Sequence, residues 1–274
     1  MTEGTGLAFW TGSVRPLSIA RPLAAVTRFA LPPEVGQPSV ELLRYVQAIA
    51  EEVRVLVRER LQRATARANV PEFLSAIKTI HKRVTAAYED QLARQRRADL
   101  QFGRQMAEVE CRKGCAFCCH LNVTATALEA MHIAAVMRIG GRADLERSVL
   151  AASDALSGLD SSSRLARKSP CPLLVQGACS IYQARPMACR TLLSLSARAC
   201  ERHFNAANET PEPTPGLVTP RLIGSAFLTG EIAAMQDLGL AGHLVELTAA
   251  TALLLRDPTA LTRWLAGEDV FVPV

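Results

Sequence analysis

The residues of this chain best suited to chemistry are its eight cysteines, and all of them lie between positions 111 and 200. Four fall within nine residues, Cys111-Arg-Lys-Gly-Cys115-Ala-Phe-Cys118-Cys119, with His120 next to them. Buried structural cysteines scatter through a core as small hydrophobes, so this crowding asks for another cause. A thiolate binds soft or borderline metals strongly, and short spacings let one loop wrap one centre. Cys111, Cys115 and Cys118 can bring three sulfurs around one corner of a 4Fe–4S cube, or fill three positions of a tetrahedral zinc. Gly114 eases the turn between them, and Phe117 can shield a centre from water. Cys119 adds a thiol beside Cys118, but adjacent side chains tend to diverge. One of the two is then expected to serve a second metal or to act as a nearby redox thiol. His120 is either a ligand or a polar neighbour. His81, His132, His203 and His243 are isolated in sequence and read as structural or surface histidines.

The remaining thiols are Cys171, Cys179, Cys189 and Cys200. The segment reads Cys171-Pro-Leu-Leu-Val-Gln-Gly-Ala-Cys179-Ser-Ile-Tyr182-Gln-Ala-Arg185-Pro186-Met-Ala-Cys189-Arg190. Cys179 is expected in an extended or turn segment. Pro186 opens a helix and places Cys189 in its first turn, where the helix dipole and the charges of Arg185 and Arg190 favour a thiolate. Those two arginines are candidate hydrogen-bond donors to metal-bound sulfur. Ordinary capping and salt bridging explain them equally well.

Helices must position these groups. Ser39 is a good N-cap for a helix running to about Asn69, with an apolar stripe at Leu42, Val46, Ile49, Val53 and Leu56. Pro71 suits the first turn of a second helix, with Phe73, Ile77, Ile80, Val84 and Ala87 repeating the same spacing. Two such stripes joined by a short turn predict an antiparallel helical hairpin. Arg94, Arg96 and Arg97 belong to its solvated face. After the first cysteine run, Thr126-Ala-Leu-Glu129 forms a capping box for a helix ending before Gly140-Gly141. A further helix spans 143–156, and 161–169 reads as a polar linker. The helix opened by Pro186 is expected to run through Cys189 and Cys200 to about Phe204. Residues 205–220 hold four prolines and read as a loop, before helices over 222–238, 243–255 and 259–265.

The fold expected is therefore mainly α: a long helical hairpin packed on a cysteine-rich metal-binding helical region, with C-terminal helices. The corresponding segments are an irregular arm over 1–38, the hairpin over 39–106 and the cysteine-cluster domain over 107–205. A Pro-rich loop over 206–220 and the helices over 221–274 complete them. Aromatics make up only 5% of the chain against 49% hydrophobic residues, which favours close-packed Ala, Leu, Val and Ile helices over an aromatic-rich sandwich.

A net charge of +5 without a dense basic face argues against a nucleic-acid partner. The N-terminus lacks the basic start and apolar run of a secretory signal. The apolar stretch 217–255 is interrupted by Glu231, Asp237, His243 and Glu246, which argues against a membrane span. A cytoplasmic protein is expected, and in a reducing compartment clustered cysteines read as metal ligands before disulfides.

Three groups of residues carry a resemblance. They are Cys115-Ala-Phe-Cys118-Cys119, Cys171-Pro-Leu-Leu with Gly177-Ala-Cys179-Ser-Ile-Tyr182, and Arg185-Pro186-Met-Ala-Cys189-Arg190. Together they resemble the bacterial CxxCxxCC cysteine-cluster family, a zinc- or iron-chelating domain often called the YkgJ family. The likeness covers about 111–200, and the gap of three after Cys111 departs from the family's usual gap of two. It implies a metal-chelating domain, and some relatives are linked to protein methylation, notably flagellin lysine N-methylase.

Three functions remain open at this level. The first is a cytosolic metal-binding or redox module whose thiolates hold an iron–sulfur cluster or zinc. The second is an iron–sulfur enzyme using S-adenosylmethionine, since C-x3-C-x2-C with an aromatic before the last cysteine also looks like the radical S-adenosylmethionine loop. No run of βα units for the expected barrel supports it. The third is a structural zinc protein that presents its helical hairpin to a protein partner.

Overall fold

The computed structural model describes residues 40–66, 70–206 and 216–272. The expected arm over 1–38, the N-cap at Ser39 and most of the Pro-rich loop lie outside these residues. Helix α1 (Val40–Ala66) and helix α2 (Val70–Ala98) are the two long elements. Val46, Ile49, Val53, Val57 and Leu61 lie on the buried face of α1, recurring at three and four residues as one side of a helix must. On α2 the buried set is Phe73, Leu74, Ile77, Ile80, Val84 and Tyr88. Gln91 near the end of α2 donates to Tyr45 near the start of α1 at 2.8 Å, so the pair is antiparallel.

Asp99 caps the short helix α3 (Leu100–Ala107), which leads into the cysteine loop. Strand β1 (Thr124–Thr126) emerges from that loop and feeds helix α4 (Ala127–Ile139) through the expected capping box of Thr126 and Glu129. Helix α5 (Ala143–Ala155) follows. The stretch expected as a polar linker instead forms helix α6 (Ser161–Arg167). Its start is set by Asp160, whose side chain accepts from Ser163 N at 2.8 Å, while Arg164 reaches Glu246 at 3.3 Å. Polar composition marks solvent exposure here, and a local cap decides the conformation.

Strands β2 (Leu174–Val175) and β3 (Ala178–Cys179) form a small hairpin. Its turn residues Gln176 and Gly177 both have positive φ, 50° and 73°, the geometry that two-residue hairpin turns require. Helix α7 (Met187–Thr191) begins after Pro186 as expected but is brief. The chain breaks at 192–196 and restarts as helix α8 (Ala197–Asn205), capped by Ser196. Cys189 and Cys200 therefore sit on two helices, not on the single one expected. The break is stabilised by Ser194, which bridges to Gly216 and holds Ser196 N through its hydroxyl at 3.2 Å.

Helix α9 (Val218–Asp237) starts four residues before the expected position, with Pro220 in its first turn. It runs along α1 at close range. A Cβ on Gly230 would meet Ala50 O at 2.4 Å and Val53 Cβ at 2.7 Å. The buried guanidinium of Arg54 grips Asp237 with bonds of 2.7 and 2.9 Å. Strand β4 (Leu244–Glu246), where a helix start was expected, pairs antiparallel with β1. It then feeds helix α10 (Leu247–Arg256), capped by Glu246, and helix α11 (Ala260–Leu265) closes the described chain. The fold is mainly α, as expected. One hydrophobic core runs from Val46 to Phe271, with Trp264 fully buried against Phe73.

Candidate metal centre

The loop between α3 and β1 carries the first four thiols. Gly114 adopts φ +93°, and Cys115 N closes a turn onto Arg112 O at 3.0 Å. A short 3₁₀ turn, Phe117–His120, then holds Cys118 and Cys119, with Cys119 N bonded to Ala116 O at 3.0 Å. All eight cysteines are free thiols. Cys111 and Cys118 are exposed and the other six are half-buried.

Two backbone clamps fasten this loop to the later cysteines. At one end Cys171 N donates to Cys119 O at 2.7 Å, and the β2–β3 hairpin that follows pairs Leu174 with Cys179. At the other end Glu110 N donates to Ser194 O at 3.1 Å, and Ala197 N donates to the Glu110 carboxylate at 2.6 Å. Ser194 N donates directly to Cys111 Sγ at 3.2 Å, the kind of N–H bond that steadies a metal-bound sulfur. Helix α8 packs on the 3₁₀ turn through Phe204, whose ring lies 6.0 Å from Phe117 and 4.6 Å from His120. Cys200 is one helical turn before Phe204 and so lies on the same face.

The thiols feel one another's charge. Burial, opposed by the Ser194 N–H and reinforced by Cys118 and Cys200, raises the pKa of Cys111. Burial, then Cys111, Cys118 and Cys200, raises that of Cys115. The Cys118–Cys119 hydrogen bond raises Cys118 and lowers Cys119, so Cys119 is the first of the pair to give up its proton. Cys119 also faces Cys171, Cys189 and Cys179. Burial pushes Cys171 up to about 11, with Cys179, Glu246 and Cys118 adding to it. Cys189 is pushed up to about 12 by burial, then by Cys171, Cys118, Cys179 and Glu129. Such thiols stay protonated unless a cation lies among them. As they stand, no group of three or more His, Cys, Asp or Glu side chains among the described residues is close-set enough to hold a metal ion.

The two arginines divide their tasks. Arg185 lies over the Tyr182 ring at 3.8 Å, and its charge lowers the pKa of Cys111 and Cys118. Its Nε is buried without a hydrogen-bond partner among the described residues. Arg190 turns to the backbone, donating to Arg185 O at 3.0 Å and to Gln183 O. It thereby locks the turn that launches α7. His120 holds Ala116 O at 3.2 Å through Nδ1.

Several groups here escaped sequence reasoning. His81 and His132 are not isolated: their rings stack at 4.3 Å, and His81 Nε2 lies 3.5 Å from Arg190. Burial pushes His132 down to about 3. Glu129, more than a capping residue, accepts from Met187 N at the start of α7 as well as from Thr126 N. Thr126 Oγ1 donates to Glu231 at 2.6 Å, and Glu231 is pushed up to about 8 by burial and by Glu129. An acidic residue in the apolar run of α9 was the only sequence signal for this pair. His203, three residues after Cys200, has a buried Nδ1 with no partner among the described residues.

Residues 110–210 match the family model CxxCxxCC, described as "Putative zinc- or iron-chelating domain". The match ties the cysteine-rich segment to chelation of zinc or iron and leaves α1–α3 and α9–α11 outside it. No curated protein and no solved structure matches the chain. Among the described residues, no helix is long and apolar enough to cross a membrane.

Proposed function

We propose that this protein is a metal-binding module whose thiolates hold an iron–sulfur cluster or zinc. The observation that carries this reading is the bond from Cys171 N to Cys119 O, which fastens the first cysteine loop to the Cys171–Cys179 hairpin beside α7. Cys119, Cys171, Cys179 and Cys189 would hold the metal. Their donor chemistry fits it: all are free thiols, and each additional negative charge among them is unfavourable without a cation. The unpartnered Nε of Arg185 beside this loop fits an acceptor of negative charge as well. An iron–sulfur cluster held there supplies one-electron transfer, whereas zinc supplies a structural cross-link.

The protein's own residues do the positioning. The β2–β3 hairpin presents Cys179, Pro186 starts the helix that presents Cys189, and Arg190 fastens the connection between them. Phe204 packs on Phe117 and His120 at the 3₁₀ turn that carries Cys119. Among the described residues no three such side chains are set to share an ion, so to hold a metal these thiols would have to draw together, and Cys171 and Cys189 to give up their protons.

The test is anaerobic purification with elemental analysis and a visible spectrum. Brown protein containing iron and sulfide identifies the cluster, and colourless protein containing zinc identifies the structural ion. Replacing Cys171 or Cys189 with Ser should lower the bound metal; full retention in both variants overturns the ligand assignment.

A further inference from the structure

Helices α1, α2 and α9 meet around an apolar cleft of about 100 Å³ whose lining includes none of the cysteines. Ile49, Val53 and Leu56 of α1, Val84 and Ala87 of α2, and Phe227 of α9 form its walls. Leu56 and Ala87 are only partly buried, so the cleft opens to the surface. Glu52, Gln91 and Arg94 edge it. Gln91 is engaged with Tyr45, whereas Glu52 and Arg94 are exposed and make no ion pair among the described residues. We infer that this cleft seats the chain's own N-terminal arm: Phe29 and Leu31 enter it, Glu34 pairs with Arg94, and Arg28 pairs with Glu52.

The arm has the reach. It joins α1 at Val40, and at about 1.5 Å per helical residue the walls from Ile49 to Leu56 lie about 14–24 Å along that helix. The nine residues from Leu31 to Val40 span up to about 30 Å when extended. Pro32, Pro33 and Pro38 disfavour helix in that connection, which keeps it long. In an extended segment Phe29 and Leu31 face the same way, while Arg28 and Glu34 fall on the other face. Two apolar side chains then turn into the cleft, and two long charged ones stay in water at its rim.

The charges also fall in the right order. Tyr45 bonds to Gln91 at 2.8 Å and to Gln95 at 3.5 Å, so Arg94 lies at the Val40 end of the cleft. Glu52 lies seven residues further along α1, about 10 Å away along its axis. An arm that folds back along α1 from Val40 passes Arg94 first and Glu52 second. Read in that direction, its sequence offers Glu34, then Leu31 and Phe29, then Arg28. Acid meets base at each end and apolar side chains meet apolar walls between them. A tether this short holds the arm at an effective concentration of roughly millimolar, which favours it over an occupant from another chain.

A photo-crosslink tests the seat. The full chain is made with p-benzoylphenylalanine in place of Phe29 and irradiated, and the adducts are mapped by mass spectrometry. The main product should have the mass of one chain and join position 29 to peptides containing 49–56 or 84–94. Arg28→Glu or Glu52→Arg alone should lower the yield about twofold to threefold, and the two together should restore it. Ala87→Glu, which puts a charge into the half-open wall, should lower it further, with helix content by circular dichroism unchanged in every variant. Adducts at the same peptides that join two chains assign the cleft to the arm of a second copy and overturn docking within one chain. Adducts spread over the surface without preference for α1 and α2, or a yield indifferent to all of these substitutions, overturn the inference altogether.

Discussion

Glu231 is the residue whose chemistry is least expected from its surroundings. It is buried in α9 beside Glu129, and Thr126 Oγ1 donates to it at 2.6 Å. Burial raises both carboxyls, but Glu129 accepts two backbone N–H bonds and faces Arg190, and its charge in turn raises Glu231, so Glu231 is the one that keeps its proton. A carboxyl raised from 4.5 to about 8 binds a proton in the folded chain that the unfolded chain has already released. Its contribution to stability is fully present below pH 4.5 and is lost as the pH rises through about 8. Urea unfolding at pH 5 and pH 9 should therefore show a weaker fold at the higher pH, with the Glu231→Gln variant losing much of that difference. An identical pH slope in the variant would place the dependence elsewhere. The neighbouring His132 acts at the other end of the scale. Lowered to about 3, it stays neutral when folded, so its contribution is present above pH 6.5 and fades as the pH falls toward 3.

Two glycines of α9 separate the scaffold from the site at the level of elements. At Gly230 an added Cβ meets backbone and side chain of α1 within 2.7 Å. Gly230→Ala should cost about 1–3 kcal/mol through over-packing, read as a lower unfolding midpoint, and it should leave metal content unaltered. Gly224 faces α7 instead, where a Cβ would come within 2.2 Å of Thr191 Cγ2. Because α7 carries Cys189, Gly224→Ala should shift that helix and weaken metal binding as well as stability. Equal metal affinity in the two variants would show that α9 does not position α7. The capping of α8 offers a gentler probe. Ser196→Ala removes the acceptor for Ala199 N, which lies at 3.1 Å, and should destabilise the helix by about 1 kcal/mol. Faster amide exchange confined to residues 197–205 is the expected sign.

Across the whole molecule, the thiols occupy one side of a continuous core whose largest contributors lie elsewhere. Phe73, Ile77 and Trp264 are fully buried, and Arg54 ties α1 to the end of α9 through Asp237. Removal of metal by a chelator should therefore loosen residues 110–205 while α1, α2 and α9 remain protected. Hydrogen exchange of the metal-free and metal-loaded chain reads this directly. Uniform loss of protection would make the metal a condition of folding for the entire chain.

How much of this was written in the order of residues follows from the range of the forces involved. Helix periodicity and caps act over three or four positions, so the α1 and α2 stripes, the capping box at Thr126 and the start of α7 at Pro186 were legible in advance. So was the metal-like character of the thiols, which needs only their type and their spacing. The break between α7 and α8 was not, because Ser194 is held by the remote Glu110 and Gly216. Strand β4 was hidden for the same reason, its partner β1 lying 120 residues earlier. The stacking of His81 on His132, the protonated acid behind α7 and the fastening of the cysteine loop to the Cys171–Cys179 hairpin all depend on which surfaces meet after packing. Local spacing carries no record of that, and only the tertiary structure decides it.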